Sequence, residues 1–303
     1  MLSRRRCLSL LACSGLGLVA ERPARADVPL VPPSDATLDA SDLKLDGERG
    51  TPHRARVFVP RVRNPEERFP VLVLLHGLGE TENEELGAHA WGDRYGLPSA
   101  DRRLRNPPVV RERPGRYFTD ERLKQMNQSL GGRPFRGFVV VCPYTPNVYK
   151  EASTSAAIDR YAAWIKNALL PAVRATAPVR TGPENTAIDG CSLGGYVALE
   201  VFLRATEEFG AVGGVQTAIG EIPALRSAER LRRAIDHAGP RAIHIETSLW
   251  DPSLKVHELW SARLTELGVM NDLDVLPGGH DQIFLREVGT IEMLLWHDRR
   301  MPR

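Results

Sequence analysis

The chain predicts an α/β fold: one mostly parallel sheet with helices on both faces. Two observations predict it. Short apolar runs recur along the chain, and several lack the polar alternation of a half-exposed strand, so they read as strands buried on both faces. Between them lie longer segments with apolar residues at helical spacing, and strands alternating with such helices form parallel sheets. Composition agrees. At 303 residues with 42% hydrophobic, 26% charged and 6% aromatic side chains, the chain is neither disordered, collagen-like nor a membrane bundle.

The elements follow in order. Asp27 to Asp35 is a proline-bearing lead-in, and no internal repeat follows it. His53–Pro60 (HRARVFVP) alternates polar and apolar residues, as a half-buried antiparallel strand does. Val71–Leu75 (VLVLL) and Gly137–Cys142 (GFVVVC) are continuous apolar runs. Ser155–Thr176 places Ile158, Tyr161, Ile165, Leu169 and Val173 on one helical face. Thr186–Asp189 reads as a strand leading into Gly190, and Leu193–Thr206 as a helix. Phe209–Ala218, Ala242–Thr247 and Asp274–Leu276 are the remaining strands, with a helix over Lys255–Leu267. Residues 27–303 thus form one domain.

Residues 80–136 fit this alternation poorly. They separate two buried strands, open acidic (Glu80, Glu82, Glu84, Glu85) and turn basic through Arg102, Arg103, Arg105, Arg111, Arg113 and Arg116. Long excursions from the end of a central strand often cover a binding cleft. A lid-like insertion beside the cleft, favouring an anionic or carbohydrate-linked substrate, is the expectation, with a solvated surface loop as the alternative.

The formal charge of +2 is unevenly spread. Residues 1–26 hold five arginines (Arg4, Arg5, Arg6, Arg22, Arg25) against Glu21, a local charge of +4 that leaves the rest at −2. A basic nucleic-acid binder is therefore not expected. Met1–Arg6 is basic, Cys7–Ala20 is apolar or small, and Ala24-Arg25-Ala26 precedes Asp27. That is the layout of an export signal cleaved after Ala26, placing the protein in the periplasm or outside the cell. Ser3-Arg4-Arg5-Arg6-Cys7-Leu8 is similar to a twin-arginine motif, and Leu10-Leu11-Ala12-Cys13 offers a weaker lipoprotein reading. The apolar stretch is too short for a stable membrane span.

The chemistry centres on Gly190-Cys191-Ser192-Leu193-Gly194, a G-x-S-x-G motif with a further glycine, Gly195. It follows a strand and opens a helix, as a nucleophile elbow must. A serine hydroxyl needs a base, and the base needs an orienting group. Of eight histidines, His280 stands apart: it directly follows the last strand and its Pro277-Gly278-Gly279 turn, at the carboxyl edge where reactive groups gather in such sheets, whereas His297 is near the terminus. The acid should lie between serine and histidine in chain order. Asp251, on the loop after Ala242–Thr247, is preferred over Glu246, Asp272 and Asp274. Oxyanion donors are expected at the backbone N–H of Leu193 and, after Val71–Leu75, at that of Leu78 in His76-Gly77-Leu78-Gly79. Tyr144, Asn147 and Tyr149 are candidates to line the pocket, with surface-turn roles equally open. No metal, phosphate-loop or dinucleotide motif is present, so neither cofactor nor catalytic metal is expected.

LLHGLG, GCSLGGYVAL and GGHD, in this order, resemble the α/β-hydrolase superfamily, and within it the "putative esterase" or esterase D-like family. The likeness spans roughly residues 45–295, is specific around the motifs, and includes Phe209-Gly210-Ala211-Val212. It implies an α/β-hydrolase fold with the insertion after the third strand. It also implies Ser192 as nucleophile, Asp251 and His280 as partners, and Leu78 and Leu193 as oxyanion donors. The chain departs from the family at Ser248, where glycine is common, at Asp281–Phe284, where tryptophans are, and across residues 80–136. The layout sets Cys142 and Cys191 about two strand spacings apart, roughly 9–10 Å, too far for a disulfide. The expected activity is hydrolysis of a small-molecule or carbohydrate-linked acyl ester through an acyl-serine. An acyltransferase or peptidase would use the same triad, and a non-catalytic binding protein could keep the fold.

Overall fold

A computed structural model describes residues 36–45, 51–61, 64–111 and 117–302. The export signal expected over residues 1–26 lies outside them. Eight strands form one sheet in the order β1-β2-β4-β3-β5-β6-β7-β8. They are β1 (Leu38–Lys44), β2 (Arg54–Pro60), β3 (Val71–Leu75), β4 (Val139–Pro143), β5 (Thr186–Gly190), β6 (Ala211–Val215), β7 (Ala242–Trp250) and β8 (Asp272–Gly279). The β1–β2 and β2–β4 pairs are antiparallel and all others parallel.

The helices are α1 (Glu84–Asp93), α2 (Leu97–Arg105), α3 (Asp120–Gly132), α4 (Thr154–Trp164), α5 (Leu170–Thr176), α6 (Leu193–Phe202), α7 (Glu221–Ala238), α8 (Leu254–Glu266), the single turn α9 (Gln282–Phe284) and α10 (Thr290–Arg300). One core joins α4 to α8 with one sheet face; a second joins α1 to α3 and α10 with the other. A π turn, Ile165–Leu169, connects α4 to α5. It falls just before Pro171, whose missing N–H and ring would break a regular helix, so the wider turn lets one amphipathic segment continue past the proline. Among the described residues no helix is long and apolar enough to cross a membrane.

Besides α7 and α10, which no expected helix covers, three elements differ from expectation. β1 (LDASDLK) escapes a hydrophobic search because most of its side chains face solvent at the sheet edge, where charges discourage pairing with another chain. β8 is longer than Asp274–Leu276 and absorbs Pro277-Gly278-Gly279 instead of ending in a turn. As β8 closes the other edge, a proline there forfeits little of the ladder. Gly278, at φ +152°, leaves room for Phe284, whose ring would lie 2.4 Å from a Cβ at that position.

The third difference is residues 80–136. Ala90, Trp91, Leu97, Leu104, Phe118, Met126 and Leu130 are buried in the second core, so the described part of this segment is first a helical wall of the fold. Of the arginines expected to gather beside the cleft, Arg103, Arg105 and Arg111 are engaged by neighbours within the fold. Arg105 pairs with Asp101 at 2.9 Å and donates to the Arg136 carbonyl, at the amino edge of β4. Arg103 lies over the Phe118 ring, and Arg111 bonds the Phe118 carbonyl and Asp120. Arg113 and Arg116 fall outside the described residues. Cys142 and Cys191 are both free and buried, as the strand spacing requires.

A buried ionic group crosses β5, β7, β8 and α10. Asp189 accepts from His297 Nε2 at 2.8 Å and from the Gly190 amide at 2.6 Å. His244, stacked on Trp296, lies 3.7 Å from Asp189, 3.5 Å from Asp274 and 3.9 Å from Glu246. Arg122 joins Asp274 to Glu292 at 3.0 and 2.7 Å. Burial disfavours charge on His244, but Asp189, Asp274 and Glu246 raise its pKa from 6.5 to about 10. Burial pushes the Glu246 carboxyl well up against the opposing pull of His244. Burial also opposes charge on Asp189, yet His244 and His297 hold its pKa below the usual carboxylate value.

The proton linkage sets a direction. A histidine with a raised folded pKa contributes stability that is complete below 6.5 and is lost as pH climbs through about 10. Urea midpoints should therefore fall from pH 7 to pH 10 in the wild type. His244→Gln should start lower at pH 7 and lose less over that range. Parallel pH curves for the two proteins would contradict the assignment of a charged His244.

Candidate active site

Ser192 stands between β5 and α6 with φ 54° and ψ −116°, a conformation costly for a residue with a Cβ. The surroundings enforce it. The Ser192 amide donates to the Val215 carbonyl at 2.9 Å, and the Ser192 carbonyl accepts from Ala218 at 2.9 Å and Tyr196 at 3.3 Å. The motif glycines permit the close approach of strand and helix. A Cβ on Gly190 would lie 2.5 Å from Gly194 backbone atoms, and one on Gly194 would lie 2.3 Å from the Leu75 carbonyl oxygen. Neither backbone could yield without moving the elbow.

The partners reach the serine from the two strands at the far edge. A register shift between Ser248 and Trp250 ends β7, and the Asp251 amide turns back to the Ser248 carbonyl at 3.0 Å. Asp251 Oδ1 accepts from the Ser253 amide at 2.8 Å and lies 3.4 Å from His280 Nδ1; Oδ2 accepts from Thr247 Oγ1 at 3.0 Å. His280 Nε2 lies 3.1 Å from Ser192 Oγ. Burial alone would raise the Asp251 carboxyl, but hydrogen bonds from His280 and Ser253 hold its pKa below the ordinary value. An ionised Asp251 places the proton on Nδ1 and leaves the Nε2 lone pair facing the serine hydroxyl.

The two expected oxyanion amides belong to Leu193, next in the chain after the serine, and to Leu78, which follows a glycine packed against Cys191. Leu193 is the first residue of α6, so its N–H has no partner within the helix. Leu78 opens a 3₁₀ turn (Leu78–Glu80), and Gly77 before it packs against Cys191, with the Cys191 carbonyl oxygen 3.7 Å from a Cβ position on Gly77. His76 fixes the amide plane. Its Nε2 accepts from the Thr145 amide at 2.8 Å, which leaves Nδ1–H to donate to the Gly77 carbonyl at 2.8 Å. In a trans peptide the C=O and the following N–H point in opposite directions, so holding the Gly77 carbonyl aims the Leu78 N–H. Burial lowers the His76 pKa to about 4, partly offset by the Gly77 carbonyl, and the ring remains neutral.

Of the three pocket candidates, Asn147 is used structurally: its Oδ1 accepts from the Tyr149 amide and caps a short turn. Tyr144 OH donates to the Thr81 carbonyl at 2.9 Å, tying the loop after β4 to the loop after β3. Tyr149 is exposed and stacks on Tyr196, one helical turn beyond Ser192. Trp250, also exposed, meets the edge of Tyr117 beside the acid loop.

Two supports were not evident from the sequence. Gln216, buried and at φ 51°, sends Nε2 to Ser248 Oγ at 2.6 Å and to the Gly279 carbonyl at 2.8 Å, holding together the strand ends that carry Asp251 and His280. His257, buried on α8, lies 3.1 Å through Nε2 from the Thr217 carbonyl. A positive φ at a non-glycine residue cannot be read from a sequence. Among the described residues no three His, Cys, Asp or Glu side chains are arranged to hold a metal ion.

Comparison with known proteins places this geometry. Among curated protein sequences none matches the chain. Solved structures share the fold. A ferulic acid esterase superposes with a TM-score of 0.64 at 17% identity, covering 88% of this chain and 100% of its own. An S-formylglutathione hydrolase from Staphylococcus aureus gives 0.59 at 12%, covering 86% and 99%. An enterobactin esterase from Shigella flexneri gives 0.55 at 18%, covering 88% of this chain and 61% of its own. At such identities the likeness establishes the fold. The sequence profile described as "Putative esterase" matches residues 48–263, most of the chain, and with it the chain belongs to that family of carboxylic ester hydrolases on the α/β-hydrolase fold.

Proposed function

We propose that this protein is an exported serine esterase in which Ser192, His280 and Asp251 form the catalytic triad. The observation that carries the reading is the continuous contact from Ser192 Oγ to His280 Nε2 and from Nδ1 to Asp251, built on the strained elbow. Ser192 Oγ attacks the ester carbonyl as its proton passes to Nε2. The Leu78 and Leu193 amides receive the developing oxyanion. Collapse expels the alcohol, which takes the proton from His280, and leaves an acyl-serine. Water, deprotonated by His280, then releases the acid and restores the serine. Asp251 keeps the imidazole in the required tautomer throughout and offsets the charge of the imidazolium.

The rim supports an apolar acyl group. Leu78, Tyr149, Leu249, Trp250 and Ile283 are exposed at or just beyond the carboxyl ends of β3, β4, β7 and β8. Exposed apolar side chains gathered at one mouth favour an aromatic or extended acyl chain over a small polar one. Residues 80–136 supply the buried Tyr117, against whose ring the exposed Trp250 packs edge-on.

Three outcomes test the reading. Purified protein should hydrolyse aryl and medium-chain p-nitrophenyl esters, with Ser192→Ala reducing kcat/KM to background and Asp251→Asn reducing kcat about 1,000- to 10,000-fold. Full activity in Ser192→Ala would overturn the nucleophile. Trp250→Ala should raise KM for aryl esters several-fold more than for acetate; equal changes would remove Trp250 from the acyl site. For export, the mature protein should begin at Asp27 in the periplasm or medium, and Arg4→Lys with Arg5→Lys should leave precursor in the cytoplasm. Full-length protein confined to the cytoplasm of wild-type cells would contradict the signal.

A further inference from the structure

Glu80 opens an acidic run that reads as solvated, yet its side chain is only 3% exposed. A carboxylate is rarely buried without several donors, and Glu80 has three. Arg94 Nη1 lies 3.3 Å from Oε1, Gln282 Nε2 donates to the same oxygen at 3.2 Å, and the Tyr95 hydroxyl donates to Oε2 in a short contact. The donors come from two places. Arg94 and Tyr95 follow α1, while Gln282 lies two residues beyond His280. The Tyr95 oxygen also accepts from the Gly77 amide at 3.3 Å. Tyr95 is itself buried, edge-on to Trp91 at 5.1 Å, and its backbone carbonyl accepts from Thr290 Oγ1 at 2.7 Å.

We propose that Glu80, acting through Tyr95 and Gln282, is a positioning residue that locks the loop carrying the Leu78 amide to the loop carrying His280. The inference rests on the esterase reading above. Gly77 is pinned on both sides: its carbonyl by His76 and its amide by Tyr95. The first contact orients the Leu78 N–H, and the second stops the whole peptide from sliding along the cleft. Because Tyr95 uses its only proton on Glu80, its oxygen is left to accept from Gly77. Burial, with Cys191 and Glu80 nearby, pushes the Tyr95 pKa up, so the hydroxyl stays protonated and the direction of donation holds. Gln282 extends the lock to the histidine loop, so oxyanion donor and base keep their separation when substrate enters. Donors serve the transition state only when held in place beforehand, which is the advantage of a rigid buried clamp over a solvated loop.

Replacing the carboxylate by an amide breaks this order. In Glu80→Gln one acceptor oxygen becomes an NH₂ donor, and either Tyr95 or Gln282 faces a donor instead of an acceptor. Tyr95→Phe removes the acceptor for the Gly77 amide while keeping the ring packing, and Gln282→Leu cuts the link at a half-buried position. The test is steady-state kinetics per active site titrated with a fluorophosphonate, alongside thermal melting. Glu80→Gln and Tyr95→Phe should lower kcat about 10- to 100-fold with KM within about threefold of wild type, and Gln282→Leu should lower it less. A purely structural role would instead reduce melting temperature and the number of titratable sites, leaving kcat per site unchanged. If kcat per site stays within twofold of wild type in Tyr95→Phe, the clamp does not position the oxyanion loop and the proposal is wrong, whether or not Glu80→Gln folds. Wild-type protein is measured in the same series; its own inactivity toward esters would overturn the esterase reading, and the clamp's role with it.

Discussion

The backbone of Ser192 is the constraint around which the molecule is arranged. A positive φ at a serine costs on the order of 1–3 kcal/mol and persists only where the surroundings over-determine it. Here the over-determination is visible as hydrogen bonds from Ser192 to β6 and to the residues that follow it, and as glycine contacts too close for any side chain. Those contacts require β5 to lie between β3 and β6, which is the central sheet order. The same order puts the ends of β7 and β8 beside each other, so one register shift and one edge strand bring Asp251 and His280 to the serine. A second positive φ, at Gln216, lies directly across from the first and ties those two strand ends together. Strain at one side of the site is thus braced by strain at the other.

Histidines of identical intrinsic chemistry do different work because their neighbours differ. His76 sees only backbone groups and desolvation, so it is held neutral and serves as a rigid spacer between the loops after β3 and β4. His244 is equally buried but ringed by carboxyl groups, which keep it charged within the core. Removing a partner from such a buried set leaves an uncompensated charge, which is why it couples the elbow strand to α10 without any contact to substrate. His280 alone is open to the cleft, where a base must exchange protons with substrate and water.

The parts legible in the sequence were those with short-range signatures. The G-x-S-x-G motif, the apolar run of β3 ending in His-Gly, and the order serine, acid, histidine pointed to Ser192, Asp251 and His280, which the fold brings together. The parts that escaped depend on long-range contacts. Glu80 reads as one of several surface acids until Tyr95 and Gln282, fifteen and about two hundred positions away, are seen to converge on it. Gln216 has no motif, since its importance lies in its φ angle and in reaching two neighbouring strands. In residues 80–136 the prolines and arginines catch the eye, while the widely spaced Trp91, Leu97, Leu104 and Met126 are what pack its described part on the sheet. β1 was missed for the opposite reason, being an edge strand with little apolar surface to announce it.

The central claim is that Ser192, activated by His280, is the nucleophile, and covalent chemistry tests it most directly. Protein treated with diethyl p-nitrophenyl phosphate and digested for peptide mapping by mass spectrometry should carry one diethylphosphoryl group per chain, on Ser192. The adduct should be absent from Ser192→Ala and should form far more slowly in His280→Ala of intact fold. An adduct on another residue of the wild type, or equal modification rates in wild type and His280→Ala, would contradict the account.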